Sequence, residues 1–331
     1  MVRALAVRRR GPGRRGGRAY AGVRRKRERR APCRSAGDCA AMKRPDAGII
    51  LINVLVTLAL GAAVVVLMFT SQERQVDRVR KSANAARAEA LARGAEDSVK
   101  VALRRDMIVA PEADHYAEAW YATAQEEVEL ATGRFSVALS DARARFDLNS
   151  LSGGGFAQQM ILQRLIAVLE LPEGAAADII TWFLREGPQD SLSDVEVLAP
   201  DVRAALAPHV TFLKTQGGIN VNTAGPVVLA AVLGNLTTAR LAIQLRDEKG
   251  FLTKEDLQGM GIVALAGAGY TSDTYDAVIS AEVDDTKTTL YARLLRRSLQ
   301  DVPIVSVISR RFGDIAPVDF PDVPGIEVTE P

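Results

Sequence analysis

An uninterrupted apolar stretch stands near the amino end of the chain. Residues 49–70 read IILINVLVTLALGAAVVVLMFT and contain no charged residue, with Asn53, Thr57 and Thr70 as the polar positions. A helix rises about 1.5 Å per residue, so this stretch spans roughly 33 Å, enough to cross the hydrocarbon core of a bilayer. The pattern predicts a transmembrane helix over residues 49–70.

The helical pattern continues beyond the apolar stretch. Residues 75–105 are rich in strong helix formers, and Val79, Ala83, Ala86 and Ala90 recur at the spacing of one helical face. We therefore predict that the transmembrane helix runs on as a spine. Its small-residue face is expected to pack closely against a sheet.

Alternating apolar and polar positions then predict strands on either side of a helical region. The predicted strands are residues 133–140, 275–283, 289–296 and 303–311. Turn residues stand at 284–285 and 300–301, which suits an antiparallel meander for the last three strands. Periodicity alone leaves a helix open over residues 290–297.

Helical patterns fill the region between these strands, and we place its beginning near Asp147. The predicted helices are residues 157–169, 175–184, 195–198, 201–206, 226–233 and 238–247. Ser193 precedes Glu196 by three residues, the spacing of a capping box at the start of the third helix. The region therefore predicts a helical domain.

One short stretch precedes the helix predicted over residues 226–233. It reads INVNTA and consists of Ile219, Asn220, Val221, Asn222, Thr223 and Ala224. Amide and hydroxyl side chains can accept hydrogen bonds from the free N–H groups at a helix start. We predict that Asn222 and Thr223 cap the following helix in this way.

Charge separates the first residues from the rest of the chain. Residues 1–44 hold 16 Lys and Arg against 2 acidic residues, a net charge of 16 − 2 = +14, whereas residues 49–331 carry 26 − 37 = −11. Residues 1–41 show no apolar periodicity and are predicted to be disordered. They are either a nucleic-acid-binding arm or, as we favour, residues upstream of a true start at Met42. Cys33 and Cys39 both lie there, so no disulfide framework is expected in the body.

A start at Met42 leaves the short basic leader MKRPDAG, residues 42–48, ahead of the apolar helix. Such a leader resembles the amino terminus of type IV pilins and pseudopilins. The resemblance implies that a prepilin peptidase cleaves between Gly48 and Ile49 and methylates the new terminal amine of Ile49. A plain signal anchor that follows a glycine is the alternative.

Three further stretches resemble general secretion pathway protein K, the minor pseudopilin K of type II secretion systems. They are RFDLNSL at residues 145–151, INVNTA at 219–224 and VSVISRRFG at 305–313. Asn53 stands at the fifth mature position, where major pilins carry a glutamate. Lack of this glutamate is typical of the K family and implies a place at the fibre tip, because a neutral amide needs no charged partner in the apolar bundle.

The resemblance implies an α+β fold: an amino-terminal transmembrane and spine helix with a pilin-like antiparallel sheet, interrupted by an all-helical insert similar to SAM and helix-hairpin-helix domains. The implied segments are a basic extension (1–41), a leader (42–48), a transmembrane helix (49–70), the first part of the α/β domain (71–146), the insert (147–270), closing strands (271–313) and a disordered tail (314–331).

The implied function is that of a minor pseudopilin at the tip of the type II secretion pseudopilus. It would initiate pseudopilus assembly and support protein export across the outer membrane, with a single-pass anchor in the inner membrane. The basic leader places the body in the periplasm, although the basic residues at 74–81 weaken this contrast. Implied partners are I- and J-type minor pseudopilins, the major pseudopilin and the prepilin peptidase.

INVNTA also resembles helix-hairpin-helix modules, so a membrane-anchored DNA-binding protein is an alternative. The turn at residues 234–239 lacks the second glycine of such hairpins. Residues 147–268 hold 8 basic and 13 acidic residues, a net charge of 8 − 13 = −5, which is a poor platform for phosphates. We therefore expect no nucleic-acid partner. An unrelated signal-anchored periplasmic protein is the other alternative.

Catalytic patterns are absent from the sequence. It contains no phosphate-binding glycine loop, no zinc-like spacing of Cys and His, and no nucleophile with a recognisable base. His115 and His209 stand far apart and are expected to be structural or exposed. The sequence thus predicts a protein that is not an enzyme and has no catalytic residues.

No cofactor is established by the sequence, and a metal site is unknown. Members of the K family bind calcium through acidic loops of the insert, in an aspartate-rich stretch after a tryptophan. Here Trp182 is followed by a short loop in which Glu186, Asp190 and Asp194 could supply oxygens. Calcium is the one cofactor that the resemblance leaves open.

Overall fold

The computed structural model of the chain describes residues 47–313 together with Pro317 and Phe320. The predicted extension, most of the leader and most of the tail lie outside these residues. The chain divides into two compact units, Met1–Val66 and Leu67–Pro331. The second unit holds the sheet and the helical insert.

Seven α-helices occur among the described residues. They are α1 (Ala47–Val109), α2 (Phe156–Val168), α3 (Gly174–Glu186), α4 (Pro200–Leu206), α5 (Pro226–Leu233), α6 (Leu236–Lys249) and α7 (Lys254–Gly259). α1 is the helix in the described part of the chain that is long and apolar enough to cross a membrane. The most apolar 18-residue stretch of α1 has no buried residue, which distinguishes this helix from the core helix of a globular domain.

Nine strands are described. They are β1 (Gln125–Leu130), β2 (Gly133–Asp141), β3 (Phe146–Asp147), β4 (Val210–Thr211), β5 (Ile219–Asn220), β6 (Ala268–Gly269), β7 (Thr274–Val283), β8 (Thr286–Leu299) and β9 (Val302–Phe312). Five of them form an antiparallel sheet in the order β1-β2-β7-β8-β9. The predicted meander of β7, β8 and β9 is therefore confirmed, and residues 290–297 are strand.

Tight turns fix the register of this meander. Gln300 and Asp301, which join β8 to β9, have φ angles of 51° and 62°. Two successive left-handed residues match the right-handed twist of a two-residue hairpin, and polar residues tolerate that conformation best. Asp284, in the turn between β7 and β8, is also left-handed with φ 51°.

Helix α1 and one face of the sheet enclose the first hydrophobic core. The residues of α1 that face this core are Asn84, Ala88, Ala92, Ala95, Glu96, Val99, Leu103 and Asp106. The predicted face is wrong, since Ala83, Ala86 and Ala90 are exposed and Val79 is 70% exposed. Alanines occur on several faces of this helix, so small residues alone do not identify the buried one.

Polar residues on the buried face of α1 find partners in the sheet. Asn84 donates from Nδ2 to Asp284 Oδ2 at 2.8 Å. Glu96 accepts two hydrogen bonds from Arg310, at 2.7 and 2.8 Å. These pairs lie about 200 residues apart in sequence, which is why a pattern of local apolar spacing does not reveal them.

Residues 142–273 lie between β2 and β7, which are hydrogen-bonded neighbours in the sheet. This insert has its own core, with Leu162, Leu165, Ile179, Phe183 and Leu229 among its fully buried residues. Besides its α-helices it contains 3₁₀ turns, irregular loops and four two-residue strands, which pair in parallel as β3 with β4 and β5 with β6. The α+β class is confirmed.

The local prediction at residues 193–198 is wrong. A 3₁₀ turn covers Leu192–Asp194, and residues 195–198 are not helical. Ser193 caps no helix, because its hydroxyl and the Asp194 carboxylate both contact Ser191 Oγ, at 2.6 and 2.9 Å. Short polar side chains that bond to one another in this way favour turns over helices.

Candidate functional site: the amino-terminal anchor and the insert junction

The predicted processing site lies at the beginning of α1. Gly48 and Ile49 belong to its first turn, and the Ile49 side chain is 59% exposed. Asn53 is also exposed on this helix, and its carbonyl accepts a hydrogen bond from Thr57 Oγ1 at 2.7 Å. Cleavage after Gly48, methylation of Ile49 and the role of Asn53 stay predictions.

The INVNTA stretch lies where the insert meets the sheet. All six of its residues are buried, with at most 4% exposure. Strand β5 supplies its first two residues, and main-chain bonds join Ile219 N to Gly267 O and Val221 N to Gly269 O, at 3.1 and 3.0 Å. The stretch is thus part of the interior of the second unit.

The predicted capping role of Asn222 and Thr223 is wrong. Asn222 pairs instead with the main chain of Leu252, accepting from its N–H at 2.7 Å and donating to its carbonyl at 3.2 Å. Gly225 is the N-cap of α5 and offers no side chain. Pro226 follows at the first helical position, where the missing N–H is one that has no partner within the helix.

Asp141, the last residue of β2, is the acceptor at the centre of the junction. Its Oδ2 atom accepts hydrogen bonds from Thr223 Oγ1 and Ser272 Oγ, both at 2.5 Å, and from Asn220 Nδ2 at 3.0 Å. Its Oδ1 atom accepts from the amide of Arg143 at 2.7 Å. Burial raises the pKa of Asp141, and these hydrogen bonds act against the rise.

Asp114 connects this junction to the spine helix. Its carbonyl accepts from Asn220 Nδ2 at 2.9 Å, and its carboxylate accepts from the amide of Ser272 at 2.6 Å and from Arg296. Arg296 also donates to Asp106 of α1 at 2.7 Å and to the carbonyl of Ser272 at 2.8 Å. One guanidinium therefore joins α1, the loop after it and β8.

A second buried ion cluster centres on Asp276 of β7, which has 0% exposure. Arg293 of β8 binds both carboxylate oxygens, at 2.6 and 3.0 Å, and Arg145 binds one at 2.9 Å. Arg293 also donates to the carbonyl of Phe212, in the insert, at 3.0 Å. The bidentate pair joins β7 to β8, and the bonds from Arg293 to Phe212 and from Arg145 to Asp276 hold the insert against the sheet.

Sequence reasoning missed these charged residues. Asp141, Arg143, Arg145 and Asp147 alternate through the end of β2 and the first residues of the insert, and all four are buried. Charged residues that alternate directly after an apolar strand are an available signal, because charges without a structural role are seldom buried. The partners themselves lie up to 131 residues away and give no local sign.

Glu118 is a buried acid of this region whose pKa is shifted towards neutrality. Burial raises it to about 7, while hydrogen bonds from the His115 amide and Trp120 Nε1, both 2.8 Å, lower it. Its Oε1 atom is buried without a hydrogen-bond partner. Asp106 and Asp114 lie close enough for the three carboxylates to share an ion, and their charges further oppose ionisation of Glu118.

We expect Glu118→Gln to remove a pH dependence of stability. The folded pKa of about 7 exceeds the ordinary value of 4.5, so this group stabilises the fold fully below pH 4.5 and loses that contribution as the pH rises through 7. The loss should amount to roughly 2–3 kcal/mol. Denaturant unfolding of wild type and variant in detergent at pH 5, 7 and 8 measures it. Parallel stability curves would contradict this expectation.

The carboxylates considered for calcium have other partners. Asp190 pairs with Lys214 at 2.9 Å, and Glu186 pairs with Arg185 at 2.7 Å. Among the described residues, the acidic side chains that gather in a group of three are instead Asp106, Asp114 and Glu118, which Arg296 partly neutralises. Calcium binding in the insert stays a prediction.

The two histidines lie in different surroundings. His115 stacks on Phe251 with ring centroids 4.6 Å apart, and its Nδ1 accepts from the amide of Ala117 at 3.2 Å. Burial lowers the pKa of both His115 and His209, which favours the neutral ring. His115 thus has a packing role beside Glu118.

Comparisons with known proteins agree with this architecture. The family model described as "Type II secretion system (T2SS), protein K" matches residues 219–276, from INVNTA to the beginning of β7. A chain of the GspK-GspI-GspJ complex of the type 2 secretion system of enterotoxigenic Escherichia coli has a similar fold, with a TM-score of 0.54 and 18% identity. The likeness covers 71% of this chain and 99% of that one. A search of curated proteins finds no significant match.

The fold and junction define a membrane-anchored α+β protein in which a helical insert separates two neighbouring strands of the sheet. The family match links residues 219–276 to the type II secretion system protein K family, and the solved chain shares the fold. The same match supports a role in type II protein secretion, and α1 is long and apolar enough to serve as a membrane anchor.

Proposed function

We propose that the chain is a minor pseudopilin at the tip of the type II secretion pseudopilus, where it initiates assembly and supports export across the outer membrane. The observation that carries this proposal is the insertion of residues 142–273 between the hydrogen-bonded neighbours β2 and β7. The insert adds a second core to the spine and sheet, and it contains the stretch that the family model matches.

The size of the insert is compatible with a subunit at the end of the fibre. A subunit inside a helical fibre must accept an identical contact above and below, whereas a terminal subunit needs only one. Asn53 agrees with this place, because a neutral amide in an apolar helix bundle needs no ion partner from a subunit above it. The cytoplasmic end of α1 would then be its amino end, with the body in the periplasm.

The proposed partners follow from the solved relative. Its printed description names a complex of GspK with GspI and GspJ. We propose that I- and J-type minor pseudopilins bind this chain in the same manner, and that the assembled tip recruits the major pseudopilin. The chain then acts by organising other subunits rather than by catalysis.

Mass spectrometry of the mature amino terminus tests the proposal. The chain is expressed from Met42 with and without an active prepilin peptidase. We expect a peptide that begins at methylated Ile49 only when the peptidase is present. An intact amino end in both strains would return the protein to the class of plain signal anchors.

Two glycine variants make the test specific. Gly48→Val places a branched side chain at the predicted cleavage site and should abolish processing. Gly61→Val lies on the same helix, where an added Cβ meets no atom within 4 Å, and should be processed like wild type. Equal processing of both variants would contradict cleavage after Gly48.

A further inference from the structure

Strands β7 and β8 are buried on both faces. One face packs against α1, as described above. The opposite face is formed by residues that are each less than 9% exposed: Asp276, Val278, Ser280, Tyr291 and Arg293. An antiparallel sheet commonly has one face on the core and one in water. The burial of this second face therefore requires a second cover.

The insert covers one end of this face. Arg293 donates to Phe212 O at 3.0 Å, and Arg145 reaches Asp276 at 2.9 Å. Tyr291 lies two residues before Arg293 on β8, so both side chains project from the same face. In register, Tyr291 stands opposite Val278 of β7 and Arg311 of β9.

Phe320 covers the Tyr291 end of this face. Its ring meets the Tyr291 ring edge-on, with centroids 5.6 Å apart and an interplanar angle of 82°. The guanidinium carbon of Arg293 lies 5.3 Å from the centroid of the same ring. Phe320 N also donates to Pro317 O at 2.9 Å. The ring thus makes an aromatic and a cation–π contact together.

This receiving surface is held in place before any ring binds. Arg293 is fixed by two bonds to Asp276 and one to Phe212, so its guanidinium loses little freedom when Phe320 packs on it. Residues 314–331 contain five acidic and no basic residues. Arg311, exposed on β9 beside Tyr291, provides complementary charge.

We propose that Tyr291 and Arg293 form a docking site for an aromatic side chain on an acidic, proline-containing segment, and that the chain's own carboxyl-terminal segment occupies it through Phe320. The site lies on the second face of the sheet and does not depend on the proposed pseudopilus function. It gives residues 314–331, predicted from their composition to be a disordered tail, a defined point of attachment.

Peptide binding tests this site. The receptor is the chain ended after Gly313, in detergent, and the probe is a fluorescent peptide of residues 314–331. We expect the wild-type peptide to bind, and the Phe320→Ala peptide to bind about tenfold more weakly because both ring contacts are lost. The full chain, whose site is already occupied, should bind the added peptide at least tenfold more weakly than the shortened chain.

Receptor variants separate aromatic docking from charge attraction. Tyr291→Phe keeps the ring and should retain binding, whereas Tyr291→Ala should lose it, with melting curves to show that the variant is folded. If Tyr291→Ala does not fold, the Phe320→Ala peptide still tests whether binding depends on the aromatic ring, because it leaves the receptor unchanged. Equal binding of the two peptides, or equal binding by full and shortened chains, would overturn the proposal.

Discussion

We expect Arg296→Met to lower the free energy of unfolding by about 3–5 kcal/mol at pH 7. Methionine keeps much of the length and volume of the arginine stem but leaves Asp106 and Asp114 buried without their cation. The buried Glu118 nearby adds a third carboxyl to the same region. Denaturant unfolding of the full chain in detergent measures the loss.

The pH dependence of this loss identifies its cause. Burial raises the pKa of Asp106, so acid protonates this carboxylate and relieves the uncompensated charge. We expect the difference in the free energy of unfolding between wild type and Arg296→Met to be smaller at pH 5 than at pH 7. Arg296→Lys keeps the charge but cannot reproduce the forked hydrogen-bond geometry of the guanidinium. Its free energy of unfolding should therefore lie between those of wild type and Arg296→Met. If this difference in the free energy of unfolding does not change with pH, the lost stability comes from packing alone.

Asp141→Ala should lower the free energy of unfolding by about 3–4 kcal/mol, because it removes the acceptor for three buried side-chain donors and one amide at once. The loss should loosen the attachment of the insert as well as lower overall stability. Hydrogen exchange measured by mass spectrometry should therefore show faster exchange around residues 219–224 than in the meander.

Ser140→Ala is the matched control for this substitution. Ser140 is the neighbouring residue on β2 and makes one side-chain hydrogen bond, to the carbonyl of Asp276 at 3.3 Å. The loss of this hydrogen bond should lower the free energy of unfolding by less than about 1 kcal/mol. If the two variants are equally stable, the carboxylate of Asp141 does not hold the junction together.

Local patterns in the sequence were sufficient for most of the architecture. The apolar stretch indicated the anchor, alternation indicated β2 and the meander, and periodicity placed α5 at its observed bounds of Pro226–Leu233. Each of these signals depends on residues that are neighbours along the chain. Resemblance to a family, rather than periodicity, located the insert between the strands.

Contacts between distant residues could not be predicted in this way. The buried face of α1 depends on Asp284 and Arg310, which hold Asn84 and Glu96 against the sheet. Helix α7 was missed because its six residues give little periodicity, although Thr253 and Asp256 form a capping box at its start. Asn222 and Thr223 were assigned to a local cap because their true partners lie 30 and 82 residues away.

The position of the insert also sets the order in which the sheet can be completed. Strand β2 ends at Asp141 and its neighbour β7 begins at Thr274, so 273 − 141 = 132 residues are synthesised between them. At roughly 5–20 residues per second, β7 follows β2 by about 7–26 s. During that interval the β1–β2 hairpin has an unpaired edge that can join another chain. The open edge of β2 is therefore paired only after synthesis reaches β7, its partner in the sheet.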